Sequence, residues 1–275
     1  MAEKIQLSAV IRSNLLTLTR TNRLADRTQG RLASGLKVSS ALDNAAAFFA
    51  ARALTFRAAD LGRLKDNIDQ SISAIQAAIN GIEAITQLIE QAQGIGITAK
   101  ATGDTSERSS LAIQFNALLS QINNLANDAS FNGQNLIQAS PDNLVVDFNE
   151  DASSQLTISG IDTTTATSGL NVASATNNFS GDTDIDNAIG ATRAALTSLR
   201  TAAAILGSNN SVLQTRLDFT EDLINTLDEG AGKLTLADLN EESANLLSLQ
   251  TRQQLGLNSL ALAAQSERSI LNLFG

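Results

Sequence analysis

The sequence predicts a mainly α protein: an elongated coiled-coil or helical bundle made from the N- and C-terminal segments, with a small β-rich or irregular central insert. Three observations predict it. The 275-residue chain has one Pro, no Trp or Tyr and nine Phe, and is rich in Ala, Leu, Ile, Asn, Ser and Thr. Scarce aromatics favour thin elements packed through Ala, Leu and Ile over a thick globular core. Apolar residues recur three and four apart along both ends of the chain, and the polar middle lacks that period.

From Glu3 to Ala33, Leu7, Ile11, Leu15, Leu18, Ala25 and Leu32 draw one apolar stripe along a helix, interleaved with Arg12, Arg20, Arg23, Arg27 and Arg31. Ser34-Gly35 ends this run, since glycine suits a helix C-cap. A polar connector, Lys37-Val38-Ser39-Ser40, follows, and Ser40 or Asp43 offers an N-cap for a second helix reaching about Ala92. That helix carries Ile68, Ile72, Ile75, Ile79, Ile82, Ile85 (or Thr86) and Ile89, and with Thr86 the spacings alternate between four and three, those of a coiled-coil seam. At 1.5 Å per residue, a helix from Asn44 to Gln91 is about 70 Å long, which is the basis for expecting an elongated molecule.

Gly94 and Gly96 are expected to loosen the end of this helix, and Gly103-Asp104 to turn the chain into a third. The third helix carries Leu111, Phe115, Leu118, Ile122 and Leu125 on one face. Residues 138–182 contain Pro141 and the short alternating runs Leu144-Val145-Val146-Asp147-Phe148 and Leu156-Thr157-Ile158-Ser159. They read as strands and turns, or as a partly disordered insert facing solvent. Helix returns near Asp184, is broken by Gly230-Ala231-Gly232, and resumes over 236–274 with Leu246, Leu249, Leu257, Leu260, Ala264 and Leu271.

Both ends are therefore amphipathic, and such helices are marginal in water until their apolar faces are covered. A single terminal pair leaves part of each seam open. Repeated head-to-tail contacts that do not close then give a helical filament, so a structural, self-associating chain is expected.

Catalytic chemistry is poorly supplied. Without His or Cys there is no Ser-His or Cys-His nucleophile, thiolate metal site or disulfide, so no catalytic residue, cofactor or metal ligand is assigned. Asp182-Thr183-Asp184-Ile185-Asp186 invites a calcium-loop reading, but Asn187 and Arg193 stand where such a loop needs Gly and Glu. It reads instead as an acidic helix start. Glu241-Glu242 reads as a solvated face. Asn178-Phe179-Ser180 and Asn209-Asn210-Ser211 fit the N-glycosylation pattern, and Thr163 to Ser168 could carry O-linked sugars, but solvated loops are the expectation.

Net charge is −9, which argues against a nucleic-acid partner. Residues 1–65 carry +7, 66–190 carry −13 and 191–275 carry −3, so the basic head is expected to meet acidic segments of the same or a neighbouring chain. Glu3, Lys4 and Arg12 interrupt the N-terminal apolar residues, unlike a secretory signal peptide. No apolar stretch is expected to span a membrane, and no membrane partner is assigned.

Arg31-Leu32-Ala33-Ser34-Gly35-Leu36-Lys37-Val38-Ser39-Ser40-Ala41-Leu42-Asp43-Asn44-Ala45-Ala46 resembles the signature of bacterial flagellins, with Leu42, Asn44 and Ala47 as departures. Phe131-Asn132-Gly133-Gln134-Asn135-Leu136-Ile137 resembles the turn closing that family's N-terminal conserved region. The tail is similar in Leu249-Gln250, Arg252-Gln253-Gln254-Leu255-Gly256, Ala261-Leu262-Ala263-Ala264-Gln265 and Ile270-Leu271-Asn272-Leu273-Phe274. The resemblance covers roughly 1–137 and 184–275.

The resemblance implies a subunit of the extracellular flagellar filament, with the hook–filament junction protein as the alternative. Segments 1–43 and 236–275 would form the coiled-coil filament core, 44–137 and 184–235 a helical wall, and 138–183 a small exposed central segment. Leu7, Ile11, Leu15 and Leu18 would pack with Leu249, Leu257, Leu260 and Leu271 and with neighbouring copies. Ser34, Gly35, Leu36, Asp43, Phe131, Asn132 and Gly133 carry the family signature. The implied partners are further copies, sister flagellins, the flagellar export apparatus and the filament cap, with export needing no cleaved signal peptide. Many flagellins place a basic stretch where this chain has Leu88-Ile89-Glu90-Gln91-Ala92-Gln93-Gly94-Ile95-Gly96-Ile97, which is similar to alphaproteobacterial variants. Poor activation of the innate immune receptor is expected.

Overall fold

The computed structural model describes residues 9–274, with side-chain exposure described for all of these but residues 10, 267 and 270–274. Among the described residues the chain is mainly helical: α1 Ala9–Ser34, α2 Ala45–Ala101, α3 Thr105–Asp128, α4 Asp182–Thr235 and α5 Leu239–Phe274. Two strands, β1 Leu144–Asp147 and β2 Gln155–Ile158, pair antiparallel with Leu144 opposite Ile158 and Asp147 opposite Gln155. The chain divides into two compact units, Met1–Phe56 with Thr226–Gly275, and Arg57–Asn225.

The helix ends follow local chemistry. Gly35 sits at φ +72 and donates its N–H to Arg31 O at 2.8 Å, closing α1 in a conformation that a side chain would strain. The N-cap of α2 is Asn44, whose Oδ1 accepts from Ala47 N at 3.1 Å, rather than the expected Ser40 or Asp43. Asp43 is unavailable because its carboxylate accepts from Ser39 and Ser40. Asp104 caps α3, accepting from Ser106 N at 2.8 Å.

Two expected breaks are absent. Helix α2 runs through Gly94 and Gly96, and α4 through Gly230 and Gly232. An isolated glycine costs a helix about 1 kcal/mol, which packing of neighbouring turns readily offsets. A Cβ on Gly96 would lie 3.0 Å from Ile189 Cγ1, so the bare backbone there admits α4 against α2.

In the unit Arg57–Asn225, the isoleucine seam of α2 becomes an internal core. Ile68, Ile75, Ile82, Ile85 and Ile89 are buried with Phe115, Leu119 and Ile122 of α3 and Ile185, Leu196, Leu199, Leu206 and Leu213 of α4. One window of α2 does reach a mean hydropathy of 1.2, long and apolar enough by composition to cross a membrane, contrary to the expectation. Its isoleucines already face α3 and α4, so a helix in a protein core accounts for the composition.

The central insert has one face in the same core: Leu144, Val146, Ile158, Leu170, Val172 and Phe179 are buried. Asn116 Oδ1 and Asn123 Oδ1 on α3 accept from Ala175 N and Thr165 N at 2.8 and 2.9 Å, tying the insert to that helix. Phe179 adopts φ +58, unusual for a bulky residue, and is held edge-on to Phe115 with ring centroids 5.3 Å apart. Thr163 and Thr164 are buried and hydrogen-bonded, which removes them as attachment points for sugars.

Candidate functional site

Helices α1 and α5 pack together along their lengths. Three contacts set the register: Arg31 with Glu242 at 2.7 Å, Asn14 Nδ2 3.5 Å from Ser259 Oγ, and the Gly256 backbone against Leu18. As the α1 position falls the α5 position rises in step, so the pair is antiparallel.

The segment after α1 fastens the two chain ends by main-chain bonds. Lys37 N and Val38 N both donate to Thr235 O, at 2.8 and 3.3 Å, and Ala237 N donates to Gly35 O at 2.9 Å. Leu36 and Leu236 form an isolated antiparallel bridge. Ser34 Oγ accepts from Leu36 N at 3.2 Å, and Lys37 Nζ reaches Lys233 O at 3.1 Å near the end of α4. Asp43 gathers the connector by accepting from the hydroxyl and N–H of both Ser39 and Ser40. Those bonds, the Ser39 hydroxyl foremost, hold its carboxyl below the usual range.

Phe131, Asn132 and Gly133 belong to the unit Arg57–Asn225. Phe131 and Gln134 exchange main-chain hydrogen bonds at 2.8 and 3.0 Å around Asn132 at φ +50 and Gly133 at φ +82. Positive φ at both central residues marks a type I′ turn, the geometry that Asn-Gly favours. The turn sends Asn135 inward. Its Nδ2 donates to Ala126 O and Asn127 O at 2.8 and 3.0 Å, and its Oδ1 accepts from Ile137 N and Gln138 N at 2.9 and 3.1 Å. Ile137 and Ala129 then press on α2 where a Cβ on Gly81 would lie 2.7 and 2.8 Å away.

Two family-model matches, one at each end of the chain, decide the family. The family model for the bacterial flagellin N-terminal helical region matches residues 6–141, and that for the C-terminal helical region matches 189–274. The chain belongs to the bacterial flagellins. It is 34% identical over 270 residues to flagellin FljM of Caulobacter vibrioides, with 94% of each chain covered. A flagellin of Brucella melitensis is 29% identical over 268 residues, covering 94% of this chain and 95% of that one. Among solved structures, a Bacillus cereus flagellin aligns with a TM-score of 0.49 at 16% identity, covering 56% of this chain and 88% of that one. This flagellin is a structural subunit of the bacterial flagellar filament.

The sequence-named apolar residues divide by exposure. Ile11 and Leu249 are buried, Leu18 and Leu260 half-buried, and Leu15 and Leu257 exposed. Leu7 lies outside the described residues, and the side chain of Leu271 outside those with described exposure. More apolar surface than the sequence reading named is left open: Leu16, Leu24, Leu247, Leu255 and Leu262 are also exposed on α1 and α5, Leu247 at 67%. Single exposed leucines are ordinary, but this many leave the paired helices apolar on more than one side, since at about 100° per residue Leu15 and Leu24 lie on opposite faces of α1.

Among the charges, Arg31 meets Glu242, Arg57 meets Glu150 and Lys65 meets Glu221, so part of the basic head is answered within the chain. Arg20, Arg23 and Arg27 are exposed and make no ion pair among the described residues. The acids at the start of α4 are engaged separately, Asp182 with Arg108, Asp184 with Asn177 and Asp186 with Lys100. No cluster of three or more acidic side chains suited to a metal occurs among the described residues.

Glu242 corrects the reading of Glu241-Glu242 as a solvated pair: Glu241 is exposed, while Glu242 is 8% exposed and faces Arg31. Arg31→Ala leaves that carboxylate covered and unpaired. A loss of about 2 kcal/mol in the stability of the α1–α5 pair is expected, below the figure for a fully buried pair because Arg31 is part exposed. Chemical denaturation followed by helical circular dichroism measures it; an unchanged midpoint contradicts the pairing.

The Asp43 connector should respond to acid. A carboxyl held below its ordinary range contributes stability above that range, and the contribution disappears as pH falls through the lowered value. The amide resonances of Ser39 and Ser40 are expected to move together below about pH 4. Asp43→Asn should abolish that shared acid transition.

Proposed function

We propose that this flagellin assembles through the α1–α5 pair, whose open leucine surface is covered by the same pair in neighbouring copies. The observation that carries the reading is the number of leucines left exposed on the pair, Leu15, Leu16 and Leu24 on α1 with Leu247, Leu255, Leu257 and Leu262 on α5. On this reading Ile11, Leu18, Leu249 and Leu260 hold the pair together, with Leu7 and Leu271 extending it. Segments 1–43 and 236–275 line the filament core, 44–137 and 184–235 build the wall, and 138–183 presents its outer face to solvent. Arg20, Arg23 and Arg27 meet acidic groups of adjacent copies. Exposed pairs of this kind contribute under about 1 kcal/mol each, so they set register more than strength.

The role is mechanical, with no catalytic step. Export through the flagellar apparatus, capping at the filament tip and retention of the N-terminal segment in the filament belong to the same reading. Nothing observed favours the hook–filament junction, which would show a short ring of copies in place of a long polymer. Electron microscopy of the purified chain after polymerisation tests the proposal: long helical filaments are expected, and closed rings or unassembled monomers would refute it.

Over 88–97 the chain offers Glu90, Gly94 and Gly96 and no arginine. Reporter cells carrying the innate immune receptor are therefore expected to stay silent at nanomolar protein.

A further inference from the structure

The sequence contains two Asn-Gly pairs, Asn80-Gly81 and Asn132-Gly133. In such a pair the glycine N–H can attack the asparagine amide, because glycine puts no side chain in the way. The fold treats the two pairs differently. Asn80-Gly81 lies within α2, where the Gly81 N–H is bonded in the helix ladder. Asn80 Oδ1 accepts from Gln76 Nε2 at 2.9 Å, and Gly81 is buried under Ala129 and Ile137. Asn132 and Gly133 are both exposed. Among the described residues, neither the Asn132 side-chain amide nor the Gly133 N–H makes a hydrogen bond. A Cβ on Gly133 would meet nothing within 4 Å, so water reaches the pair.

What restrains this exposed pair is the turn itself. A type I′ turn sets ψ of its first central residue, here Asn132, at about +30°. At that ψ, Gly133 N and Asn132 Cβ lie on opposite sides of the Cα–C bond, so the nitrogen cannot reach Cγ. Ring closure needs rotation about this bond, which the Phe131–Gln134 bonds at 2.8 and 3.0 Å oppose. Asn135 opposes it as well, since its amide ties the chain just past the turn to Ala126 O and Asn127 O. Local opening of the turn is therefore the gate, and the side chain that holds the gate shut is Asn135.

We propose that Asn132-Gly133 is a site of spontaneous amide-to-acid conversion, gated by opening of its own turn. Gly133 N loses its proton to solvent base and bonds to Asn132 Cγ. The Cγ–Nδ2 bond breaks, and the nitrogen leaves as ammonia with a proton from solvent, closing a succinimide. Water then opens the ring. Cleavage between Cγ and Gly133 N leaves an ordinary aspartate, and cleavage at the main-chain carbonyl leaves isoaspartate, which carries the chain through Cγ. Both products add one negative charge. The second also lengthens the main chain by a carbon at a left-handed position, so Phe131 and Gln134 can no longer face each other. Asn135 is then drawn from under α3, and Ile137 from its seat on Gly81. Conversion thus loosens the unit Arg57–Asn225, and the inference is independent of the assembly reading.

The full chain is incubated in mildly alkaline buffer, native and in denaturant, and the fate of both asparagines is followed by peptide mapping and mass spectrometry. In denaturant the two pairs should convert at similar rates. In the native chain, acid and isoacid should accumulate at position 132, roughly tenfold or more slowly than in denaturant, while Asn80 keeps its amide. Asn135→Ser should bring the native rate at 132 back toward the denatured one, with no effect on Asn80. The incubated native chain should also lose thermal stability in step with the isoacid fraction, a loss that Asn132→Gln prevents, since its longer side chain closes a ring far less readily. An Asn132 that keeps its amide in the native chain while the denatured chain converts overturns the site. Equal native conversion at 80 and 132 overturns it too. A native rate at 132 equal to that in denaturant, or one unmoved in a folded Asn135→Ser chain, overturns the gate.

Discussion

Deletion of residues 1–30 is expected to abolish filament formation and leave a soluble chain in which the unit Arg57–Asn225 stays folded. The deletion removes nearly all of α1, and with it the surface against which α5 covers Leu249. A lone amphipathic helix is marginal in water, so α5 should lose its fixed structure. The α2–α3–α4 core contains no residue from the deleted segment and has no reason to open. Each leucine that loses its burial on assembly forgoes about 1.5–3 kcal/mol, so loss of two already shifts the critical concentration by more than about a hundredfold. Sedimentation should give monomers at every accessible concentration, with partial loss of helical signal. Filaments from the truncated chain would defeat the assembly account.

Asn135→Ala should have a large effect in the other unit, comparable with truncating a core side chain. The Asn135 amide satisfies two carbonyls at the end of α3 and two N–H groups of the following chain, all from a side chain that is 3% exposed. Alanine leaves these groups without partners where water enters poorly. At about 1 kcal/mol or slightly less for each lost bond, the cost is about 3 kcal/mol, or a fall in Tm of roughly 10 °C. Asn135→Ser, which keeps one donor and one acceptor, should fall between. Calorimetry of the full chain checks the order, and an unchanged upper transition would mean that the turn does not depend on this amide.

Much of this fold was legible because its helices are long and strongly periodic. The isoleucine series Ile68 to Ile89 marked α2 correctly, and the alternating runs at Leu144 and Leu156 marked both strands to within a residue. What covers the isoleucine seam was not legible. Its spacing calls for helix partners without naming them, and α3 and α4 supply them within this chain. The glycine pairs in α2 and α4 misled for a related reason, since local propensity knows nothing of the neighbours that hold a helix together.

Of the surface proposed for assembly, part was legible as exposed or helix-ending residues. Leu15 and Leu257 follow from helical spacing, and Gly35 from the place where the first stripe ends. The pairing of Glu242 with Arg31 spans 211 positions, and no local pattern separates Glu242 from exposed Glu241 beside it. Asn135 sits in a block that resembles the family, but its role depends on a turn bringing it beneath α3. The insert hid its buried face because Leu170, Val172 and Phe179 are thinly spread through a polar tract with no period.

The central claim is that the open leucines of α1 and α5 are the surface by which copies join. Amide hydrogen exchange, compared between monomer and filament, addresses it residue by residue. The account predicts a large gain in protection over Ala9–Ser34 and Leu239–Phe274 on polymerisation, with little change at Ile75, Ile82 and Phe115, which are already enclosed in the monomer. Filaments in which α1 and α5 exchange as fast as in the monomer would contradict it.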